Sequence, residues 1–409
     1  MAGALSHIRV LDLSRVLAGP WASQLLADLG AEVIKIERPG TGDETRGWGP
    51  PFAKTPAGNA SDVSAYYLST NRNKKSVSID IGNPEGQQLV RDLAKTSDVF
   101  IENFKVGGLL KYGLDYATIK LENPGIIYCS ITGFGQTGRY AARPGYDFLI
   151  QGLGGLMSIT GRPDDEPGGG PMKVGVALTD ILTGLYASNA VLAALAYRER
   201  TGEGQYIDVA LLDVEIACLA NRALNHLVGD PSPQRLGNAH PSIVPYEDFP
   251  TADGYMILAV GNDGQFRRFC TEAGFPELAQ DPRFSTNAAR VTHRAELIAR
   301  LRRVTVQRST SDWIRALEAV AVPCGPINDL AAVFADPHVR ARGIAFALPH
   351  PELGTVPAVA NPLRMSETPV EYHAPPPRLG EHTASILAER LDLPSHQIER
   401  LRSEEIIQV

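Results

Sequence analysis

Short runs of β-branched residues alternate with helical patterns along the first third of the chain. Five runs rich in Val and Ile are predicted to be strands, namely 8–14, 31–37, 75–81, 99–104 and 125–131. The segments 20–29 and 84–96 between them have helical spacing, and Pro20 and Gly30 suit the two ends of the first. This alternation predicts an α/β fold with a mostly parallel sheet.

A long apolar stretch follows the predicted sheet strands. Residues 180–199 have no charge between Asp180 and Arg198, which predicts a buried helix, and the Pro- and Gly-rich segment 161–171 before it predicts a loop. Asp180 stands where a helix N-cap is common, and the positive helix end would favour its ionised form. An ionised carboxylate is also the form that attacks a carbonyl carbon, so capping and nucleophilic roles are compatible.

The amino-acid composition changes after residue 225, where Pro, Gly and His become frequent. Beyond it, 255–261 is predicted to be a strand, and 293–304 and 310–320 to be amphipathic helices. Pro-dense stretches then lead to helices near 381–391 and 395–402. The predicted organisation is a first domain over 1–225, a small domain over 226–345, and a linker that returns to the first domain over 346–409.

Composition and charge narrow the choice of partners. The 409 residues are 44% hydrophobic and 21% charged, with a net charge of -7, which disfavours nucleic acid and anionic membranes as partners. The N-terminus lacks a basic segment followed by an apolar one, and no apolar run of about 20 residues occurs, so a cytoplasmic location is expected. The four Cys lie far apart, and no metal site is predicted from their spacing.

The segment GFGQTG at 133–138 matches a dinucleotide-binding fingerprint and follows a predicted strand. Pro144 and Gly145 oppose the long helix that this fingerprint needs, and no acid follows at the required distance. We therefore predict a tight polar loop, with an NAD-dependent oxidoreductase as an alternative. Basic residues after successive strands, including Arg38, Lys105 and Lys111, are each ordinary surface residues but together would suit a phosphorylated ligand.

Taken together, ordered blocks along essentially the whole chain resemble the family III CoA-transferases of the formyl-CoA transferase type. The blocks are RVLAGPWASQLLADLGAEVIKIERPGTGDETRGWGPPF, NRNKKSVSIDI, ENFKVG, SITGFGQTG, RPGYDF, VGVALTDILTGLYA, RTGEGQYIDVALLD, VPCGPIND and LGEHT. The versions GDETRGWGPPF and AHPSIVPYEDF are similar to those of relatives that act on dicarboxylates with succinyl-CoA as donor.

The resemblance implies a Rossmann-like large domain built from both chain ends, a smaller α/β domain, and two subunits interlocked as a homodimer. It implies that Asp180 is the catalytic nucleophile and that CoA and acyl-CoA are bound as substrates, without a metal or further cofactor. The implied CoA contacts are Val16, Leu17, Arg38, Ile79, Asn103, Phe104, Lys105, Lys111 and Tyr146.

Departures from the family pattern limit what the resemblance implies. Gly82 stands where formyl-CoA transferase has a CoA-contacting lysine, and the tetraglycine loop of its small domain is absent, so formate specificity is not expected. Tyr146 stands where the racemase branch has a histidine, and a phenol is a poor base near neutral pH. An acyl-CoA racemase or isomerase and a non-catalytic CoA-binding regulator stay open as alternatives.

A dicarboxylate acceptor would need a cation for its second carboxylate. Arg46 and the region of His240 are the candidates, because arginine offers a planar fork for a carboxylate. The alternative is that Arg46 pairs with Asp43 or Glu44 and that His240 only stabilises a loop.

Overall fold

The computed structural model describes residues 3–229 and 233–409. Two compact units are present: the first comprises Met1–Leu156, Lys173–Asp230 and Arg340–Val409, and the second comprises Met157–Met172 and Pro231–Val339. The domain boundaries expected near residues 226 and 345 stay a prediction. The loop 157–172, which the sequence placed in the first domain, lies with the second unit.

The described residues form short strands throughout the chain. In chain order they are β1 (Arg9–Asp12), β2 (Glu32–Glu37), β3 (Phe52–Lys54), β4 (Ala60–Ser64), β5 (Lys74–Ile79), β6 (Val99–Glu102), β7 (Ile127–Thr132), β8 (Tyr206–Ala210), β9 (Tyr246–Pro250), β10 (Tyr255–Ala259), β11 (Cys324–Pro326), β12 (Ala345–His350), β13 (Gly354–Val359) and β14 (Ile407–Gln408).

The helices vary from single turns to one of 24 residues. In chain order they are α1 (Ala18–Asp28), α2 (Ala65–Leu68), α3 (Pro84–Lys95), α4 (Tyr116–Glu122), α5 (Asp147–Leu153), α6 (Leu156–Ile159), α7 (Leu178–Thr201), α8 (Leu211–Cys218), α9 (Asn221–Val228), α10 (Asp263–Glu272), α11 (Asn287–Thr292), α12 (Arg294–Thr305), α13 (Thr310–Ala319), α14 (Leu330–Ala335), α15 (Pro337–Ala341), α16 (Thr383–Leu391) and α17 (Ser395–Ser403).

A seven-stranded sheet organises the first unit, in the order β14-β5-β2-β1-β6-β7-β8. Every neighbouring pair is parallel except β14 with β5, so both chain ends contribute to one sheet. All five strands predicted from Val- and Ile-rich runs lie in it, because continuous apolar runs suit strands covered on both faces. The predicted α/β class is confirmed.

Helices cover both faces of this sheet. One core joins α1, α5, α7 and α8 to the sheet, and the other joins α3, α4, α16 and α17 to its opposite face. Their apolar faces explain the spacing seen in the sequence, as with Leu89 and Leu93 of α3, which are 6% and 1% exposed.

Helix α7 is buried along one face only, which corrects the prediction of a buried helix. Ala187 and Val191 are fully buried, whereas Leu185 and Tyr186 are 41% and 47% exposed. Among the described helices, α7 alone is long and apolar enough to cross a membrane by length and composition. A core helix packed as α7 is against α1 and β7 meets the same criteria.

The second unit has its own core, built on the antiparallel sheet β11-β10-β9. Aromatic side chains fill it, including Phe249, Phe266, Phe269 and Trp313, all at most 1% exposed. The predicted strand at 255–261 and the predicted helices at 293–304 and 310–320 correspond to β10, α12 and α13.

Candidate active site

Helix α7 begins at the carboxyl edge of the large sheet, because it connects the parallel strands β7 and β8. Its N-cap is Ala177, whose side chain accepts no hydrogen bond, and Asp180 is the third residue of the helix. The prediction that Asp180 is the cap is therefore wrong. Asp180 instead lies in the first turn, where the backbone N–H groups have no partner within the helix.

Asp147, the first residue of α5, supplies the missing cap. Its Oδ1 accepts hydrogen bonds from the backbone N–H groups of Thr179, at 2.8 Å, and Asp180, at 3.3 Å. Its Oδ2 accepts a hydrogen bond from Gln151 Nε2 at 2.7 Å. Sequence reasoning missed Asp147, because a cap supplied by a residue 33 positions away leaves no local pattern.

Burial, together with the nearby charge of Asp147, raises the pKa of Asp180 to about 7. The helix end was expected to favour the ionised form, so this expectation is wrong in direction. Desolvation and a like charge disfavour the carboxylate more strongly than the helix end favours it. Asp180 is thus a carboxylate whose negative charge is destabilised by its surroundings.

Tyr66 lies near this carboxylate, and its ring contacts that of Trp48. The rings of Trp48 and Tyr66 meet edge to face at 5.1 Å, and Trp48 is 43% exposed. The pKa of Tyr66 is raised to about 12 by burial and by the charges of Asp180, Asp147 and Asp43. Sequence reasoning did not find Tyr66, although it lies two residues after Ser64, which caps α2, and shortly before the basic block at 72–75.

A cavity of about 610 Å³ opens at the same sheet edge. Three of the predicted CoA contacts, Arg38, Ile79 and Phe104, line it. The Arg38 side chain is exposed and has no hydrogen-bonding or ion-pairing partner among the described residues. Arg15, which sequence reasoning missed, also lines the cavity, pairs with Glu44 and lies 5.2 Å from the Phe104 ring.

The loop beside this cavity holds Val16 in a left-handed conformation, with φ 71°. This conformation is strained for a β-branched residue. Both Asp43 oxygens accept the Val16 N–H at 3.2 Å, and Lys35 Nζ pairs with buried Asp43 at 3.0 Å. Asn103 fixes the preceding residue, accepting from Arg15 N at 2.9 Å and donating to Arg15 O at 2.7 Å. The predicted contacts Val16 and Asn103 are therefore parts of one rigid loop.

A close helix crossing joins this loop to helix α7, which carries Asp180. A Cβ atom added to Gly184 of α7 would lie 2.7 Å from the carbonyl oxygen of Ala18, so only glycine permits this approach. Leu17 is the N-cap of α1 and is 6% exposed. Because Gly184 follows Asp180 by about one helical turn, Leu17 and Asp180 lie in the same part of the sheet edge.

Comparison with known protein families identifies the family of this chain. A model of "CoA-transferase family III" matches residues 5–383. The chain belongs to CoA-transferase family III. It is 54% identical, over 94% of its length and 95% of the relative's, to a succinate–glutarate CoA-transferase of Agrobacterium fabrum. It is 45% identical to the mouse (Mus musculus) succinyl-CoA:glutarate CoA-transferase, over 99% of its own length and 90% of the relative's.

A solved structure supports the fold of this family III CoA-transferase. The chain superposes with a TM-score of 0.83 on a CaiB/BaiF family protein from Brucella suis, at 49% identity, covering 95% of this chain and 100% of the other. The predicted resemblance to the family is confirmed.

Other predicted contacts of this family III CoA-transferase are dispersed. Lys111 Nζ lies 4.5 Å from the ring of Tyr112, which lines the 610 Å³ cavity. Lys105 instead lines a separate cavity of about 330 Å³. Tyr146 is 67% exposed and directly precedes Asp147. The structure therefore groups Lys111, but not Lys105, with the cavity that contains Arg38.

The structure argues against Arg46 as a ligand for the acceptor. Its guanidinium donates to both oxygens of Glu37, at 2.8 and 2.7 Å, and to the Tyr67 hydroxyl at 2.6 Å. Burial raises the pKa of Glu37 and the Arg46 guanidinium lowers it, and the net pKa lies below its usual value. The alternative of a structural ion pair fits better, although the partner is Glu37 and not Asp43 or Glu44.

His240 lies in the second unit, where its Nδ1 accepts a hydrogen bond from the Ser242 N–H at 3.1 Å and its ring packs 5.4 Å from Tyr246. Its role with the acceptor stays a prediction.

The segment GFGQTG does not begin a helix. It follows β7, and the next helix begins only at Asp147. A Cβ atom on Gly133 would lie 2.6 Å from the Cα of Gly145, so these glycines pack backbone to backbone. This arrangement lacks the helix N-terminus of a dinucleotide-binding turn, which weakens the oxidoreductase alternative.

Proposed function

We propose that this family III CoA-transferase moves CoA from succinyl-CoA to a small dicarboxylic acid through an aspartyl-CoA thioester on Asp180. One observation carries the proposal. A half-buried carboxylate in the first turn of α7 lies one helical turn from the close contact with α1, whose leading loop borders the cavity containing unpaired Arg38. The named activities of the similar proteins from Agrobacterium fabrum and mouse support succinyl-CoA and a dicarboxylate as substrates.

The proposed exchange balances without ATP or a metal. An Asp180 oxygen attacks the donor thioester carbonyl, the C–S bond breaks, and CoA leaves as the thiolate, giving a mixed anhydride. The thiolate then attacks the Asp180 carbonyl and releases the donor acid as its carboxylate. The acceptor carboxylate attacks the resulting aspartyl thioester, which releases CoA thiolate and forms a second mixed anhydride. The thiolate then attacks the acceptor carbonyl of this anhydride, giving the new acyl-CoA and restoring the Asp180 carboxylate.

The surroundings of Asp180 suit this chemistry. A destabilised carboxylate attacks more readily, because its charge is removed when the anhydride forms. Backbone N–H groups of glycine-rich loops near the sheet edge would stabilise the tetrahedral oxyanions. Arg38, with no protein partner, would contact a phosphate of CoA.

The proposal includes the finer architecture implied by the family. We expect the first unit to be a Rossmann-like large domain and the second a smaller domain, with two copies interlocked as a homodimer. Exposed apolar side chains on α5 and α7 support this, including Phe148 at 61% and Tyr186 at 47% exposure. A mass twice that of the chain by light scattering would support the dimer, and a monomer would contradict it. The absence of nucleic-acid and membrane partners stays part of the proposal, on the net charge of -7, and the expected cytoplasmic location stays a prediction.

A product screen tests the proposed activity. Succinyl-CoA is incubated with single carboxylic acids of three to eight carbons, and new acyl-CoA masses are measured. Dicarboxylates such as glutarate are expected to give products faster than monocarboxylates of equal length. The same reactions in deuterated water test the racemase alternative, which alone predicts deuterium at the α-carbon. Binding of CoA without any exchange would instead support a regulator.

A further inference from the structure

The turn that carries Asp180 is held from outside its own helix. Asp147 accepts both first-turn N–H groups, and Gln151, one turn later on α5, accepts the N–H of Val174 at 2.9 Å while donating to Asp147. Two side chains of α5 therefore fix the chain on both sides of the start of α7. Asp147 is only 8% exposed, so water replaces these hydrogen bonds poorly.

A third acid holds the same turn from α8. The Thr179 hydroxyl donates to Glu215 Oε2 at 2.6 Å, and Glu215 is 1% exposed. Its Oε1 is buried and has no hydrogen-bonding partner among the described residues. Burial raises the pKa of Glu215, the Thr179 hydroxyl acts in the opposite direction, and the net pKa lies above its usual value.

The place of Asp147 depends on a glycine pair. Gly145, two residues earlier, packs its Cα against Gly133 at the end of β7, where no Cβ would fit. This contact fixes the start of α5 against the edge of the sheet.

We infer that Asp147 is a positioning residue for CoA transfer. Its carboxylate holds the first turn of α7 and hence the direction of Asp180, and its charge favours the acylated states of Asp180 over the free carboxylate. The inference rests on the proposed function. The electrostatic part follows because Asp180 is negative in the resting enzyme but neutral in the anhydride and in the thioester. Repulsion from Asp147 is then relieved each time Asp180 becomes acylated.

Few other groups compete for this role. Tyr66 lies close enough to feel the charge of Asp180 and is neutral at assay pH, since its pKa is raised to about 12. Glu215 bonds the first turn of α7 through Thr179, and it does not act on the pKa of Asp180 as Asp147 does. The charge that Asp180 faces therefore comes chiefly from Asp147, which makes Asp147→Asn an informative change.

The test uses Asp147→Asn and Asp147→Ala in the full-length chain. An asparagine Oδ1 can still accept the N–H groups of Thr179 and Asp180, so Asp147→Asn removes mainly the charge. We expect it to lower kcat about 10- to 100-fold, to move the acid limb of kcat/KM to lower pH, and to reduce the fraction of enzyme recovered as aspartyl-CoA thioester with succinyl-CoA. KM for succinyl-CoA should change less than kcat.

Asp147→Ala should lower kcat further, because the cap is lost as well, and should lower the melting temperature. If Asp147→Ala fails to fold, the profile of Asp147→Asn alone decides. Asp115→Asn is the matched control, because Asp115 caps α4 in the same unit through Thr118. Because asparagine also caps a helix well, Asp115→Asn should leave the pH profile unmoved and stability nearly unchanged.

Native kcat, native thioester fraction and an unmoved acid limb in Asp147→Asn would overturn the inference. Asp180→Asn, measured in parallel, separates this result from failure of the proposed function. An inactive Asp180→Asn with a native-like Asp147→Asn rejects only the role of Asp147. An active Asp180→Asn rejects the proposed function itself.

Discussion

The guanidinium of Arg46 donates two hydrogen bonds, of 2.8 and 2.7 Å, to the two carboxylate oxygens of Glu37. The Glu37 side chain is 1% exposed, and that of Arg46 is 18% exposed. Pro377 contributes its carbonyl oxygen at 3.1 Å, so the pair also anchors the returning C-terminal segment. With its donors used in this way, Arg46 has a structural role that a point charge cannot replace.

Arg46→Lys should therefore destabilise the fold and leave acceptor selectivity unchanged. Lysine loses the bidentate contact and leaves Glu37 partly unpaired, at a cost of roughly 2–4 kcal/mol in the free energy of unfolding. Urea unfolding measures the stability, and the ratio of kcat/KM for glutarate and butyrate measures the selectivity. Arg400→Lys, at an exposed position of α17, is the control and should change neither. A selective loss of dicarboxylate turnover at native stability would restore Arg46 as an acceptor ligand.

Arg38→Ala should raise KM for every acyl-CoA by a similar factor, about 10- to 100-fold, while kcat changes little. The reason is that a contact to CoA stabilises substrate and transition state alike. Initial rates with two acyl-CoA donors test this, and Arg315→Ala, in an exposed pair on α13, is the control. Comparing CoA with dephospho-CoA shows which phosphate is bound, since equal losses for both would exclude the 3'-phosphate. An unchanged KM would remove Arg38 from the site.

Asp180→Asn should stabilise the fold at high pH. An acid whose folded-state pKa is raised binds its proton more tightly in the folded state, so native stability falls as pH rises from the unfolded value near 4 to about 7. Asparagine has no such penalty. The melting temperature of the variant should exceed that of the native protein at pH 8, by an amount equivalent to roughly 1–3 kcal/mol, and the gap should narrow toward pH 5. A gap independent of pH would show that Asp180 is not destabilised.

Much of the fold was predictable because its signals are local. The five Val- and Ile-rich strands, and helices such as α1 and α3, follow from runs of neighbouring residues. The place of Asp180 near the start of a long apolar helix was visible in the same way. The surroundings of the candidate site could not be predicted. Asp147 caps α7 from another helix, Asp43 accepts the N–H of Val16 from a distant loop, and Glu37 accepts two hydrogen bonds from the Arg46 guanidinium. These long-range pairings arise only when the chain folds.

Trapping the covalent intermediate tests whether Asp180 carries CoA as a thioester during turnover. The enzyme is quenched during turnover with succinyl-CoA, digested and examined by mass spectrometry, with a parallel sample treated with hydroxylamine during turnover. We expect a CoA adduct on the peptide that contains Asp180, its conversion to a hydroxamate with loss of activity, and neither product in Asp180→Asn. Sustained turnover with Asp180 unmodified, or near-native turnover by Asp180→Asn, would contradict it.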